Sequence, residues 1–392
     1  MKISYICPTN CVRRPIAEMS VMLSEQGHEI LVAYPFSEDC STKNWAPNAK
    51  IEGNSSVQVE YIASWYISSL RYNITKPFAM LRSMRRIFAA DIVHLWEYWY
   101  PLSVFVILYA LFTGQRKKLI MTTDGLVGYS YVPKDPWWLV PAFRLYTKTF
   151  GQILFRIPGQ LTTYGKAMLP YAKRAGMPLK NLSVLGTGIH LDTFQTVSSE
   201  SVEALRREFS VKEDEKVLLF VGMLSERKGV KTVVEVGRRL LDSGEHVKVL
   251  IVGNSFPEEP YAKLVPKKYK EKIIFAGSRR DIPVWMNMAD CLLLPSEGEG
   301  LPGVVMEAMA AGTACVVTNE GCTPDLIDSG KSGFLVAFGD VDSYEAAVRQ
   351  ILADSQNFGD AAFEKISTFD WKKVTVKYLE YYQNNVLSIN IE

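Results

Sequence analysis

Two glutamates, Glu299 and Glu307, stand in a glycine-rich stretch over residues 294–312, where residue types and spacing suit the binding of a polar ligand. The stretch leaves an apolar segment, turns through three glycines and enters a predicted helix. Backbone amides in such a turn can approach a ligand closely, because glycine has no Cβ. Amides at a helix N-terminus favour an anion, and the two carboxylates would accept hydrogen bonds from neighbouring hydroxyl groups. The pattern predicts a nucleotide-sugar site; a plain strand-to-helix turn with a solvated acid is the alternative.

A pair of cations, Arg227 and Lys228, stands at a second junction, between a predicted strand (217–222) and a predicted helix (228–243). Positive charge at a helix start is unfavourable, because it opposes the helix dipole. A bound anion would compensate for that cost, so the pair predicts a phosphate-binding loop. Two solvated cations are the alternative interpretation.

The elements that must position these residues fit two domains, because 392 residues exceed the usual size of one. Strand, loop, helix and strand follow one another from residue 2 onward, as in a doubly wound α/β sheet. The sequence predicts one Rossmann-like domain over residues 1–190, a second over 191–370, and a final helix over 371–392.

The two junctions together resemble a known family. Glu299 and Glu307, with Gly300, Leu301 and Pro302 following the first glutamate, are similar to the signature of family 4 retaining glycosyltransferases of GT-B architecture. In that family the first glutamate and the loop amides face the donor sugar, the second glutamate binds the nucleotide ribose, and the cations of the other junction neutralise the donor diphosphate. The donor-binding residues that the resemblance implies are Gly222, Arg227, Lys228, Glu299, Gly300, Leu301, Gly303 and Glu307, and the implied catalytic residues are Glu299, Lys228 and Arg227.

The resemblance also implies a fold and a reaction. The fold would be α/β, with two Rossmann-like doubly wound domains facing a cleft and a C-terminal helix crossing back to the first domain. The reaction would move a hexosyl unit from a UDP- or GDP-linked sugar to an acceptor with retention of the anomeric configuration. The nucleotide sugar would be the substrate, and neither a cofactor nor a metal would be required. Catalysis would depend on positioning and on stabilising the leaving diphosphate.

Three features differ from the family pattern. Met223 stands where an arginine is usual, Trp96 where a histidine is usual, and the first loop lacks a glycine pair. A catalytically silent nucleotide-sugar-binding scaffold at a membrane is therefore the alternative to an enzyme.

Candidates for the acceptor side lie in the first loop or at the ends of predicted strands of the first domain, and they are Arg13, Arg14, His94, Glu97 and Asp124. The two arginines could bind an acceptor phosphate through bidentate hydrogen bonds, or they could be solvated. Either His94 or Glu97 could replace the sugar-facing histidine of the family. Asp124 could accept a hydrogen bond from a hydroxyl group, or it could be a turn aspartate before a glycine.

The distribution of charge indicates an anionic partner. Residues 1–190 have 21 Lys and Arg against 11 Asp and Glu, and the remainder is net acidic. Two basic stretches rich in aromatic residues, 65–88 and 136–157, are typical of a bilayer interface. The sequence predicts contact with an anionic membrane surface and a lipid-linked, phosphate-bearing acceptor rather than nucleic acid. Core-facing amphipathic helices and a soluble sugar acceptor are the alternatives.

The uncharged run over residues 98–115 predicts a buried or membrane-dipping helix of the first domain rather than a membrane span. Six cysteines without framework spacing, and a strand that begins directly after Met1, favour a cytoplasmic protein bound peripherally to the membrane. The cysteines and the four isolated histidines form no convincing metal site. Residues 340–342 match the D-x-D of metal-dependent transferases, but their place before a helix predicts a helix cap.

Overall fold

The structure is a computed structural model, and it describes residues 1–38, 46–67, 72–130, 132, 137–255 and 261–391. The chain forms two compact units. The first unit contains Met1–Gly188 together with Trp371–Glu392, and the second contains Ile189–Asp370. Cys40, Arg71 and Pro136, which the sequence analysis also covers, lie outside the described residues.

The strands of the first unit form one sheet and those of the second unit form another. They are β1 (Lys2–Ile6), β2 (Glu29–Phe36), β3 (Val57–Ile67), β4 (Tyr72–Thr75), β5 (Ile92–Trp96), β6 (Leu119–Thr123), β7 (Gln160–Thr163), β8 (Leu182–Val184), β9 (Lys216–Val221), β10 (Val247–Val252), β11 (Ile273–Gly277), β12 (Cys291–Leu294), β13 (Ala314–Thr318) and β14 (Gly333–Val336).

The helices connect these strands, as the alternation in the sequence predicts. They are α1 (Arg14–Glu25), α2 (Ala46–Glu52), α3 (Pro77–Ile87), α4 (Pro101–Phe112), α5 (Leu139–Tyr146), α6 (Gln152–Leu154), α7 (Leu169–Ala175), α8 (Asp192–Gln195), α9 (Ser199–Glu208), α10 (Val230–Asp242), α11 (Ile282–Met288), α12 (Gly303–Ala310), α13 (Thr323–Leu326), α14 (Val341–Ala353), α15 (Ser355–Ile366) and α16 (Trp371–Ile391). A π-helix, Thr147–Gly151, joins α5 to α6.

The first sheet has the order β4-β3-β2-β1-β5-β6-β7-β8, and all its pairs are parallel except β3 with β4. β5 and β6 are buried along their whole length, since helices cover both faces of such a sheet. The chain order reverses between β1 and β5, which makes this gap the topological switch point of the unit. Ligands of doubly wound sheets usually bind beyond the carboxyl ends of the strands at such a point.

The second sheet is wholly parallel and has the order β11-β10-β9-β12-β13-β14. This is the strand order of a dinucleotide-binding Rossmann fold. Its switch point lies between β9 and β12, the two strands that precede the cation pair and the glycine-rich stretch. The prediction of two Rossmann-like doubly wound domains is confirmed.

The C-terminal helix α16 belongs to the first unit, as predicted. Trp371, Tyr378 and Tyr382 on this helix are buried in the core of that unit. The Tyr382 hydroxyl contacts His94 Nδ1 at 2.6 Å and the Tyr5 hydroxyl at 3.2 Å. These side chains attach α16 to the middle strands β1 and β5, so the helix is part of the first core.

The uncharged run in the first unit is the short helix α4, and five of its residues are buried. Among the described residues no helix is both long and apolar enough to cross a membrane. Asp340 accepts hydrogen bonds from the Ser343 amide at 3.1 Å and the Ser343 hydroxyl at 2.6 Å. This contact caps α14, so the prediction of a helix cap at the D-x-D pattern is confirmed.

We expect the Tyr382→Phe variant to lose more stability than Tyr378→Phe, one turn earlier on the same helix. Loss of the Tyr382 hydroxyl leaves a ring nitrogen of the wholly buried His94 without its partner, which costs about 1–3 kcal/mol. Loss of the Tyr378 hydroxyl removes one bond, at 3.1 Å, to the Leu185 carbonyl. Denaturant-induced unfolding measures both changes, and an equal loss would contradict this account of the buried histidine.

Candidate functional site

Three loops at the carboxyl edge of the second sheet form the candidate donor site. They follow β9, β12 and β13 and comprise residues 222–229, 295–302 and 319–322. The Glu297 amide donates to the Arg227 carbonyl at 2.7 Å, and the Cys322 amide donates to the Gly300 carbonyl at 3.0 Å. Backbone hydrogen bonds therefore join the middle loop to both of its neighbours.

Two glycines permit the close approach of these loops. Gly229 has φ +70°, and a Cβ there would lie 2.1 Å from the Pro295 carbonyl oxygen. Gly321 has φ +59°, and a Cβ there would lie 1.6 Å from the Glu299 carbonyl oxygen. Neither position could hold a side chain without moving the middle loop, both for lack of space and because positive φ is strained for other residues.

The three side chains predicted to be catalytic, Arg227, Lys228 and Glu299, meet between the first two loops. Lys228 Nζ lies 2.5 Å from Glu299 Oε1, and the two side chains are only 15% and 14% exposed. Arg227 Nη1 donates to the Gly298 carbonyl at 2.9 Å and lies 3.7 Å from Glu299 Oε1. Two cations thus surround one carboxylate. Both cations have Glu299 as a nearby partner in this arrangement, so neither requires a bound anion as a partner.

The remaining donor-side candidates lie around this ion pair. Gly222 directly follows β9, and its amide donates to the Val252 carbonyl at 3.0 Å. The Leu301 side chain packs against the core of the second unit, which anchors the glycine-rich loop. Gly303 begins α12, and Glu307 follows one turn later, partly exposed. The amides in the first turn of a helix have no partner within the helix, so this end of α12 suits an anion.

A further carboxylate near this site, Glu320, has no motif in the sequence that marks it. Burial raises the pKa of Glu320, the nearby Glu297 raises it further, and a hydrogen bond from the Gly298 amide acts in the opposite direction. Glu320 thus holds Gly298 from the third loop. Sequence reasoning missed it because the contact joins loops that follow different strands.

In the first unit, three of the acceptor-side candidates meet at the switch point. Arg13 occupies the residue position just before α1, Glu97 follows β5 and Asp124 follows β6. Arg13 Nη1 donates to Asp124 Oδ2, and Arg13 Nη2 lies 3.8 Å from Glu97 Oε1. The Asp124 amide donates to Glu97 Oε1 at 3.2 Å, and the Thr123 hydroxyl donates to Glu97 Oε2 at the same distance. One cation here bridges the carboxyl groups of Glu97 and Asp124.

Glu97 is unusual in both its backbone and its burial. Its φ of +64° is strained for a residue with a Cβ, and such strain is often found at functional sites. The residue is 2% exposed. Burial raises the pKa of Glu97 to about 7, although Arg13 and Thr123 act in the opposite direction.

Two of the acceptor-side predictions need correction. His94 is wholly buried, and its ring nitrogens contact Tyr382 and Thr122, each at 2.6 Å. Burial lowers the pKa of His94 to about 3, so it is a neutral core residue rather than a sugar-facing one. The two arginines are not a solvated pair, because Arg13 bridges Glu97 and Asp124. Arg14 is the first residue of α1 and is partly exposed.

The described part of the chain contains no group of three or more His, Cys, Asp or Glu side chains placed to hold a metal ion. The described cysteines are free, and Cys291 and Cys315 lie buried in neighbouring strands. Burial raises the pKa of both thiols well above its usual value.

The class of this protein follows from its two Rossmann-like parallel-sheet units, which define the GT-B architecture. A crystal structure of Anabaena HepE in complex with UDP-glucose has a TM-score of 0.74 to this chain at 16% identity, covering 98% of this chain and all of that one. The family model of the glycosyl transferases group 1 matches residues 201–365. The second unit, which contains this match, therefore belongs to the glycosyl transferases group 1, and the resemblance noted in the sequence is confirmed.

Two curated relatives each match a little under half of the chain. N-acetyl-alpha-D-glucosaminyl L-malate synthase of Bacillus anthracis is 28% identical over 183 residues, which cover 45% of this chain and 48% of that protein. UDP-Gal:alpha-D-GlcNAc-diphosphoundecaprenol alpha-1,3-galactosyltransferase of Escherichia coli is 25% identical over 181 residues, covering 45% and 46% respectively. The chain thus spans about half the length of these two relatives.

We expect Gly321→Ala to destabilise the second unit more than Gly330→Ala. Both glycines have positive φ, but a Cβ at Gly330 would have no atom within 4 Å, whereas one at Gly321 would overlap the Glu299 carbonyl. The overlap should add roughly 1–3 kcal/mol to the cost of backbone strain. Denaturant unfolding of the two variants measures the difference, and equal stability would contradict the close packing of the loops.

The raised pKa of Glu97 predicts a pH-dependent stability of the first unit. The folded state holds this proton up to about pH 7, whereas the unfolded chain releases it near 4.5. The contribution of Glu97 to the free energy of unfolding therefore falls as the pH rises between these values, by roughly 1–3 kcal/mol. The difference in unfolding free energy between the native protein and Glu97→Gln, measured across this range, isolates the effect. A difference that does not change with pH would show that the Glu97 pKa is not raised.

Proposed function

We propose that this protein is a retaining glycosyltransferase that moves a hexosyl unit from a UDP- or GDP-linked sugar to a lipid-linked acceptor, in the assembly of a glycolipid, a polysaccharide or a glycan precursor. The observation that carries the proposal is the meeting of Arg227, Lys228 and Glu299 at the switch point of the second sheet. The family match over residues 201–365 and the likeness to a structure that contains UDP-glucose support it.

Each charged side chain at the candidate donor site has a proposed role that suits its chemistry. Lys228 and Arg227 would turn towards the donor diphosphate and stabilise the negative charge that develops on it as the sugar departs. Glu299, released from Lys228, would accept hydrogen bonds from hydroxyl groups of the transferred sugar. Glu307, one turn into α12, would accept hydrogen bonds from the ribose. The two cations would supply the charge stabilisation, so the proposed reaction is metal-independent and needs no cofactor.

Retention of configuration is part of the proposal and follows from the family signature around Glu299. A double displacement would need a carboxylate nucleophile and a second, acid-like partner. Glu299 is held by Lys228 and Arg227, both of them cations. We therefore assign Glu299 to the orientation of the donor rather than to covalent catalysis.

The first unit would bind the acceptor beside Arg13, Glu97 and Asp124. Because Arg13 already bridges two carboxylates, this cluster suits an uncharged hydroxyl group better than a phosphate. A phosphate of a lipid-linked acceptor would then meet other basic residues of this unit. The Escherichia coli relative is named for a diphosphoundecaprenol-linked sugar, which supports an acceptor of this kind.

The proposal includes peripheral binding to the cytoplasmic face of an anionic membrane, where such an acceptor would be reached. The excess of Lys and Arg in residues 1–190 supports it. A soluble sugar acceptor would leave the donor chemistry unchanged.

We expect Glu299→Gln to abolish transfer and Lys228→Gln to weaken both donor binding and turnover. Removing one donor of charge stabilisation commonly costs about 100-fold or more in rate. A screen of UDP- and GDP-sugars by thermal shift identifies the donor, and release of the nucleoside diphosphate measures turnover. Lys231→Gln is the matched control, because Lys231 is exposed and pairs with Glu226 at 2.8 Å.

Full turnover in Glu299→Gln would refute the central assignment. Donor binding without turnover in the native protein, for every acceptor tried, would favour a nucleotide-sugar-binding scaffold instead of an enzyme.

A further inference from the structure

The segment formed by α5, the π-helix and α6 has two different faces, and only one of them belongs to the protein core. Thr147, Gly151 and Leu154 recur at helical spacing and are buried. The Thr147 hydroxyl lies 2.6 Å from the Tyr98 hydroxyl, and a Cβ at Gly151 would lie 3.4 Å from the Tyr98 ring. Tyr98 thus anchors this face to the first unit.

The other face is apolar and exposed. Five large side chains between residues 137 and 153 are 53% to 81% exposed, namely Trp137, Trp138, Leu145, Phe150 and Ile153. Trp138, Leu145 and Ile153 are seven and eight residues apart, two helical turns each, so they share one side of the segment. Scattered exposed apolar residues are ordinary, whereas a contiguous apolar surface indicates an interaction site.

The charge around this face is of one sign. From residue 137 to residue 191 the sequence contains seven Lys and Arg and no Asp or Glu. Lys148 and Arg156 lie on or directly after the segment itself, and both are exposed. Exposed tryptophan and aliphatic side chains with cations beside them suit the boundary between lipid headgroups and acyl chains, and anionic lipid would complement the charge.

We propose that the exposed face of residues 137–153 docks on an anionic lipid bilayer. The segment lies in the interface plane, with its apolar side chains among the upper acyl chains and its cations at the headgroups. This inference names the surface through which the proposed transferase meets its membrane, and it rests on the proposed function for the identity of the acceptor.

A series of aromatic contacts joins this surface to the acceptor cluster within the first unit. Phe143 of α5 meets Trp99 edge-on, with ring centroids 5.3 Å apart. Trp99 stacks on Tyr100 at 3.8 Å, and the Tyr100 hydroxyl accepts a hydrogen bond from Arg13. The docked segment and the Arg13–Glu97–Asp124 cluster are therefore neighbours, so the head of a lipid-linked acceptor could reach the cluster while its hydrocarbon stays in the bilayer.

Flotation with vesicles of phosphatidylcholine, alone or mixed with phosphatidylglycerol, tests the proposal. We expect the native protein to bind the mixed vesicles and to bind less at high salt, because screening weakens attraction between exposed charges. The double variant Phe150→Ser with Ile153→Ser should bind roughly tenfold more weakly or worse. Leu387→Ser is the matched control, because Leu387 lies on α16 of the same unit, is 58% exposed, and should not alter binding.

Donor turnover in solution separates this inference from the proposed function. Turnover without vesicle binding in the native protein would overturn the docking surface and leave the transferase intact. Vesicle binding without turnover, for every acceptor tried, would support the docking surface and overturn the transferase. The native protein could instead be a dimer that does not bind vesicles, with the double variant a monomer. That result would show that the face binds a second copy of the chain, and it would overturn the proposal. Equal binding by the double variant and the Leu387→Ser control would also overturn it.

Discussion

Close backbone packing between three loops is the constraint on which the donor side of this protein depends. Gly229 and Gly321 leave no room for a side chain against Pro295 and Glu299. The glycine-rich loop is thereby fixed from both sides, and Glu299 is placed against Lys228. The parallel sheet supplies the frame, because the carboxyl ends of β9 and β12 lie side by side at the switch point. The position of the Glu299 carboxylate thus depends on two glycines that have no functional side chain.

The same topology gives the two units sites with different arrangements of charged side chains. In the second unit two cations surround the single carboxylate Glu299, and in the first unit Arg13 bridges Glu97 and Asp124. Two adjacent cations would suit a diphosphate, whereas a bridged pair of carboxyl groups would suit hydroxyl groups. A doubly wound sheet places loops at one edge, but the residues on those loops decide what the edge binds.

Features that depend on local sequence patterns were predicted better than contacts between residues far apart in the chain. Alternating strands and helices, the glycine-rich turn and the cap at Asp340 are each encoded within a few neighbouring residues. The pairing of Lys228 with Glu299 spans 71 residues and that of Arg13 with Asp124 spans 111, so spacing along the chain gives no sign of either. His94 was misassigned for a related reason: a histidine in a strand can face a ligand or the core, and α16, 288 residues away, decides which.

In the function proposed here, the ion pair between Lys228 and Glu299 would make the candidate donor site selective for a ligand that is both anionic and rich in hydroxyl groups. An anion alone would draw the ammonium group away and leave a poorly exposed carboxylate without a donor, which is costly. A sugar alone would offer hydroxyl groups to Glu299 but nothing to Lys228. A nucleotide sugar satisfies both halves of the separated pair at once. Free phosphate and free sugars, however abundant, would therefore compete poorly for the site.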